Sequence, residues 1–317
     1  MNRILVIAPQ FIGDSILTIP FLRELKKHVG RCEIDVISKN AGCYVFSKCP
    51  YVSSVYDWKK LNIVQLRAKK YDKAYILKRS LSAAILAFLL GVKETIGFDG
   101  QFREIFLKKT VKYSKYESKH ELEHFMDVLA ADYVEVNNKN LEFYVNDESL
   151  DVVKKYLGTR KKALIVACSS TYVKDWNKES FAKVVDYLDD KGYDSYFVGL
   201  DADRFYCTEI INMAESRSAK NLCGVLNLDE VFALISQMDI VFGVDSGFCH
   251  VGAAFNKKVV TLFGPTSVDQ WKPINGSIVS VNKICSPCEQ PKKCKNNFEC
   301  MNEITVEHVV SALEKIL

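Results

Sequence analysis

The sequence predicts an α/β protein built on two doubly wound parallel sheets. Three observations carry this. Short β-branched apolar runs alternate with helical ones from the N-terminus. The alternation breaks in a polar stretch, NDESLD (146–151), and restarts at residue 162. A chain of 317 residues also exceeds one ordinary core. The expected organisation is a first domain over residues 1–155, a second over 156–304, and a closing helix over 305–317.

The elements follow in order. RILVIAP (3–9) is a strand by its apolar run. In LTIPFLRELKKHVG (17–30), Phe21, Leu22, Leu25 and Val29 fall at helical spacing, and Pro20 suits a first turn. CEIDVIS (32–38) is a strand, NIVQLRAKKY (62–71) a helix, KAYILK (73–78) a strand and LSAAILAFLLG (81–91) a helix stopped by Gly91. After the break, KALIVAC (162–168) is a strand and NKESFAKVVDYLDDKG (177–192) an amphipathic helix. DSYFVGL (194–200) is a strand. NLDEVFALISQM (227–238) is a helix with Asn227 at the N-cap and Glu230 at the capping-box position. DIVFGVD (239–245) and KVVTLFG (258–264) are strands flanking the short helix GFCHVGAAF (247–255), and TVEHVVSALEKIL (305–317) is a last amphipathic helix.

Composition narrows the class. The net charge of +4 is too small for a dedicated nucleic-acid binder. It is unevenly spread: residues 1–150 carry 23 Lys and Arg against 18 Asp and Glu, and the remainder 20 against 21. A basic first half suits an anionic partner such as a phosphorylated glycolipid or an acidic membrane face; a solvated lysine-rich surface is the plainer account. The apolar run 81–91 is far short of the roughly 20 residues of a membrane span. Asp14 and Pro9 interrupt the N-terminal run, so no signal peptide is expected and a cytoplasmic setting is. There the eleven cysteines should be free thiols, apart from any that bind metal.

Ligands bind parallel sheets of this kind at the carboxyl ends of the strands, here expected to face a shared cleft. Gly13 and Asp14 follow the first strand. Asp14 is either a cap on the helix behind it or a general base; a helix N-terminus stabilises the anion, whereas burial among Phe11, Ile12 and Ile16 would raise its basicity. Lys174 follows the strand at 162–168 and is a candidate phosphate ligand, or one more solvated lysine; Trp176 beside it reads as packing. Ser246 and Gly247 open a helix whose free N–H groups suit a diphosphate. Asp245 either caps that helix or holds a sugar hydroxyl, and His250, one turn in, faces ligand or core. Cys285, Cys288, Cys294 and Cys300 are spaced C-x2-C-x5-C-x5-C. Four thiolates in one loop suit a structural Zn or Fe ion; two disulfides or four free thiols are the alternatives. No pattern suggests a catalytic metal.

Several of these motifs stand in one order. ILVIAPQFIGDSILTIPFLRELKK, EIDVISK with CPYVSSVYDW, GVKETIGFDGQFREIFL, HELEHFMDVLA and VFGVDSGFCHVGAAFNKKVVTLFGPT together resemble the bacterial heptosyltransferases of glycosyltransferase family 9, up to about residue 275. The P-x-x-[IV]-G-D form of the first motif is closer to the heptosyltransferase II branch. The resemblance implies a GT-B fold, with the acceptor on the first Rossmann-like domain, the nucleotide sugar on the second, and a final helix crossing back to the first. It implies an inverting transfer of heptose from ADP-L-glycero-D-manno-heptose to a lipopolysaccharide inner-core acceptor, with no cofactor required for catalysis. It makes Asp14 the base and Lys174 the ligand of the donor phosphate. Asp245, Ser246, Gly247 and His250 form the donor motif, with Glu230 as a ribose contact and Thr266 shaping the donor pocket. Gly13, Arg103 and Lys108, with Lys109 nearby, become acceptor candidates. The implied partners are ADP-heptose or a related nucleotide sugar and an anionic glycolipid, with peripheral contact at the cytoplasmic face of the inner membrane and no nucleic acid. Departures fall at Cys168-Ser169, where many relatives have Gly-Ala, and at Phe248 and Cys249, expected near the donor. They leave open another nucleotide sugar, another glycan or protein acceptor, or a sugar-nucleotide-binding protein without turnover.

Overall fold

Strand β1 (Asn2–Ile7) sits at the middle of a sheet covered on both faces, which is why its apolar residues do not alternate. Leu5, Val6 and Ile7 are all fully buried. In the computed structural model, which describes residues 2–114, 117–289 and 294–317, β1 pairs in parallel with β2 (Cys32–Ser38) from Asn2 against Cys32 to Ile7 against Ile37. With β3 (Ser54–Asp57), β4 (Lys73–Ile76), β5 (Glu94–Phe98) and β6 (Lys109–Val111), the sheet order is β3-β2-β1-β4-β5-β6, parallel throughout. The same winding recurs in β7 (Lys161–Val166), β8 (Tyr193–Phe197), β9 (Ala219–Asn221), β10 (Ile240–Val244), β11 (Lys258–Phe263) and β12 (Ser277–Ser280), ordered β12-β11-β10-β7-β8-β9. Each sheet therefore reverses strand order beside its first strand, the point where such folds take ligands. Gly243 in β10 marks how closely the backbones pack: a Cβ there would stand 2.2 Å from the Val166 carbonyl oxygen.

The chain forms two compact units, Met1–Tyr144 and Val145–Leu317. The division falls earlier than residue 155 because the helix Asp147–Lys154 packs on the helix Leu228–Ser236 of the second unit. The first unit ends by wrapping its own long helix. Buried Arg23 donates to the carbonyls of Asn138 and Asn140 and to Glu142 Oε1 at 2.7–2.9 Å. Glu24 accepts from the Asn137 N–H, and burial is outweighed by its bonds to Lys27, Asn137 and Arg23, which hold its carboxyl below the usual range. The final helix, Val306–Glu314, belongs to the second unit. It packs on the helix Lys178–Asp190 and on β11 and β12, with Val309 and Leu313 fully buried in the second core.

The first long helix runs Ile12–Val29, starting five residues before Leu17. Pro20 consequently lies in its interior, where it has no N–H to give. Trp176 is buried, and its indole N–H donates to the Ile304 carbonyl at 2.9 Å, so it is packing. Among the described residues no helix is long and apolar enough to cross a membrane.

Candidate active site

Three neighbouring strands of the second unit, β11, β10 and β7, end at one constellation. Asp245 is the residue after β10. Lys174 stands in a single 3-10 turn, Tyr172–Lys174, after β7, and Thr266 follows β11. Lys174 Nζ donates to Asp245 Oδ2 at 2.6 Å, and Thr266 Oγ1 donates to the same oxygen at 2.7 Å. The pair is largely buried, its side chains 18% and 10% exposed. Such a pair does little for stability, but losing one member strands a buried charge. Here it aims a cation: an ammonium has three donor hydrogens, and Asp245 engages Lys174 while leaving it able to meet a ligand oxygen.

Beside this lies the start of the helix Gly247–Ala254. Ser246 is its N-cap in extended conformation, with no side-chain cap bond. The first-turn N–H groups and the positive end of the helix dipole therefore point out beyond β10, a setting that favours an anion. His250 is buried, 3% exposed, on the same helix. Cys249, beside Asp245 and Lys174, is buried, its thiol 3.5 Å from the Val244 carbonyl and pushed up to about 12 by burial. Phe248 stays half-buried, edge-on to Phe232 at 6.4 Å. Glu230 forms the anticipated capping box: the Asn227 N–H donates to Glu230 Oε2 at 2.8 Å, and the Glu230 N–H to Asn227 Oδ1 at 3.0 Å. That fixes its carboxylate at the start of a helix packed on Gly247–Ala254.

In the first unit, Gly13 is buried and Asp14 half-buried in the first turn of Ile12–Val29. Phe11, not Asp14, holds the N-cap position, and no side chain caps it. The Asp14 carboxylate thus sits where the helix dipole favours its charged form. The surrounding loops are bonded together: the Lys78 N–H reaches the Ile7 carbonyl at 3.1 Å and the Gly42 N–H the Gln10 carbonyl at 3.0 Å.

The cations named as acceptor candidates have different surroundings. Lys108 is exposed and precedes β6, at the amino edge of a parallel sheet whose carboxyl edge carries Asp14. Arg103 lies after β5 but is buried, and its guanidinium donates to the carbonyls of Asp99 and Gly100. It braces a turn. Two further lysines, which sequence reasoning missed, follow strands at the carboxyl edge of this sheet: Lys39 after β2 and Lys78 after β4, both half-buried. Lys78 Nζ lies 4.2 Å from the Trp58 ring centroid. Burial, and then the like charge of Lys39, hold its ammonium below the usual lysine range. The available signal was position alone, one or two residues beyond a strand.

The eleven cysteines carry no disulfide. Cys285, Cys288, Cys294 and Cys300 line one cavity of about 150 Å³. Burial, followed by the other three thiols, pushes Cys300 up to about 11. As they stand, no three His, Cys, Asp or Glu side chains among the described residues close into a metal-ligand set.

Two Rossmann-like units, one with a cation and a helix N-terminus gathered at its switch point, define the GT-B class of glycosyltransferase. The profile of glycosyltransferase family 9 (heptosyltransferase) matches residues 62–302, and the chain belongs to that family. It is 23% identical over 331 residues to lipooligosaccharide heptosyltransferase 2 of Campylobacter jejuni subsp. jejuni serotype O:6, covering 99% of each chain. It superposes on the structure of Escherichia coli ADP-heptose lipopolysaccharide heptosyltransferase II with a TM-score of 0.82 at 22% identity, covering 100% of this chain and 98% of that one. A more distant structure, TM-score 0.60 at 13% identity, is the dodecameric, iron-containing glycosyltransferase TibC of enterotoxigenic E. coli; it covers 99% of this chain and 78% of that one.

Proposed function

We propose that this glycosyltransferase moves heptose, with inversion, from ADP-L-glycero-D-manno-heptose to a lipopolysaccharide inner-core sugar. The observation that carries the reading is the joining of Lys174, Asp245 and Thr266 beside the N-terminus of Gly247–Ala254. A departing diphosphate needs positive charge that is already in place, because preorganised groups stabilise developing charge without reorganising. Asp14 takes the proton of the acceptor hydroxyl as its oxygen bonds to C1 of the sugar. The C1–oxygen bond to phosphate breaks, and the electron pair leaves with ADP against Lys174 and the first-turn N–H groups. Glu230 reaches the ribose, and His250 and Gly247 shape the donor pocket. Lys39 and Lys78 hold an anionic group of the acceptor. Contact with the cytoplasmic face of the inner membrane is peripheral and made by the first unit.

The test pairs calorimetry with a transfer assay. ADP-heptose should be consumed and ADP released, whereas Asp14→Ala should bind ADP as the parent does and lose turnover. Near-parental turnover in that variant ends the base assignment. Consumption of a different nucleotide sugar in preference to ADP-heptose ends the donor assignment.

A further inference from the structure

Three thiols of the second unit meet beside the segment that carries Lys174. Cys168 stands two residues after β7, Cys223 two residues after β9, and Cys207 in the first turn of the helix Arg204–Met213 between β8 and β9. Cys207 is hydrogen-bonded to both of the others, its sulfur 3.5 Å from Cys223 Sγ. Cys207 and Cys223 are fully buried, whereas Cys168 is half-buried. Local bonds hold the group together. The Cys223 N–H donates to Asn221 Oδ1 at 3.1 Å, and Asn221 Nδ2 donates to the Arg204 carbonyl and to Thr208 Oγ1, both at 2.9 Å. The same helix reaches the far end of the Lys174 segment, where the Tyr206 hydroxyl donates to the Trp176 carbonyl at 2.8 Å. One helix therefore grips the chain at residues 168 and 176, with Lys174 between them. A buried thiol in contact with two others, one of them within reach of solvent, has a route along which an oxidation can travel.

We propose that Cys168, Cys207 and Cys223 form a thiol relay, which moves a two-electron oxidation by a peroxide from the Lys174 segment into the core as a Cys207–Cys223 disulfide. Cys168 is the entry because it alone of the three is not fully buried. Its sulfur bonds to one peroxide oxygen, the O–O bond breaks, and the departing hydroxide takes the thiol proton and leaves as water. Cys168 is then a sulfenic acid. The Cys207 sulfur bonds to the Cys168 sulfur, and the sulfenic oxygen leaves as a second water with the Cys207 proton. Cys223 touches Cys207, so it attacks that sulfur, and Cys168 departs with the Cys223 proton. Two thiols and one peroxide have become one disulfide and two waters. The bond to Cys207 holds the Cys223 thiol below the usual cysteine range, which raises its thiolate fraction for the last step. Without that step, the first disulfide would pin residue 168 to the helix Arg204–Met213 and fix the start of the segment that carries Lys174. With it, Cys168 is a free thiol again. The consequence for nucleotide binding rests on the donor reading given above, whereas the thiol chemistry does not.

The test treats the reduced full chain with a small excess of hydrogen peroxide, alkylates the remaining thiols, and maps peptides without reduction. Arg204 and Lys220 place the three thiols in separate tryptic peptides. The map should show a Cys207–Cys223 disulfide and an alkylated Cys168. A time course should show a Cys168–Cys207 link first, which declines as Cys207–Cys223 grows. Cys168→Ser should form the final disulfide on the order of tenfold more slowly, because the entry thiol is gone. Cys223→Ala should stop at Cys168–Cys207, and oxidation of that variant should weaken ADP binding several-fold by calorimetry. Absence of the Cys207–Cys223 disulfide from the oxidised parent overturns the relay, and its formation at the parental rate in Cys168→Ser overturns the entry. If Cys223→Ala does not fold, the order of the two links in the parent decides: Cys207–Cys223 arising before Cys168–Cys207 overturns the transfer. Equal ADP affinity in reduced and oxidised Cys223→Ala overturns the connection to the Lys174 segment. A complete relay in a chain whose reduced form binds no ADP leaves the thiol chemistry standing and brings down the donor reading instead.

Discussion

Asp175, next to Lys174, shows what the local sequence concealed. Between Lys174 and Trp176, it is a half-buried carboxylate whose Oδ1 meets no hydrogen-bond partner among the described residues. Burial first, and the nearby charge of Asp203 second, push it up to about 6, against a lowering bond from the Ser169 backbone. Its folded pKa lies above its unfolded one, so the folded chain binds this proton more tightly. The unfavourable contribution is absent below about pH 4, grows as pH rises toward 6, and is constant beyond. Asp175→Asn should therefore stabilise the chain by about 1 kcal/mol at pH 8, after discounting for solvent screening of a half-exposed group. The gain should shrink toward zero near pH 4. Urea midpoints of parent and variant at the two pH values check this, and an equal gain at both would show that the charge is not the cause. The same turn carries Lys174, so the cation of the proposed donor site is held on a segment that bears an electrostatic cost.

At the scale of elements, the helix Leu228–Ser236 depends on its first turn. Asn227→Ala removes one side of the capping box and should cost about 1 kcal/mol in urea melts. Glu230 keeps its place in sequence, so ADP affinity should fall less than tenfold; a larger loss would make the cap part of the binding machinery. This box was legible because its two residues lie three apart and bond locally. So were the central strands, since β1, β2 and β10 are nearly continuous buried runs. The edge strands were not. β3, β6 and β9 are three or four residues long and only partly covered, so they carry neither an apolar run nor an alternation. The start of Ile12–Val29 was misread because Phe11 offers no capping oxygen and Pro20 imitates a first turn five residues further on than the true one. Asp245, Lys174 and Thr266 could each be found as residues that follow a strand. That Lys174 and Thr266 share one carboxylate oxygen could not, because the contact spans 71 residues on one side and 21 on the other. Lys39 and Lys78 offered only their position just after a strand, where a lysine is ordinarily solvated.

The whole molecule divides its charge as it divides its fold. The unit Met1–Tyr144 carries 23 Lys and Arg against 16 Asp and Glu, and Val145–Leu317 carries 20 against 23. In the basic unit, the short helix Ile63–Ala68 exposes Val64 (81%) between Lys59, Lys60, Arg67 and Lys70. It packs over the same apolar cluster as the helix Leu81–Leu89, through Leu66, Leu86 and Leu90. That second helix exposes Phe88 (62%), stacked edge-on against Phe106 at 5.6 Å. Apolar tips among lysines suit an anionic lipid surface: each basic residue near such a surface is worth about 1 kcal/mol, and the apolar side chains add burial in the headgroup layer. The full chain should therefore sediment with vesicles containing anionic phosphatidylglycerol and much less with purely zwitterionic ones. Raising salt should weaken the binding without abolishing it, because screening removes only the charge part. Val64→Asp and Phe88→Asp should each reduce vesicle binding several-fold and leave ADP affinity unchanged, since both lie on the other unit from Lys174. Vesicle binding that ignores both substitutions, or that vanishes completely with moderate salt, would mean that lysines alone make the contact and that the exposed apolar side chains take no part in it.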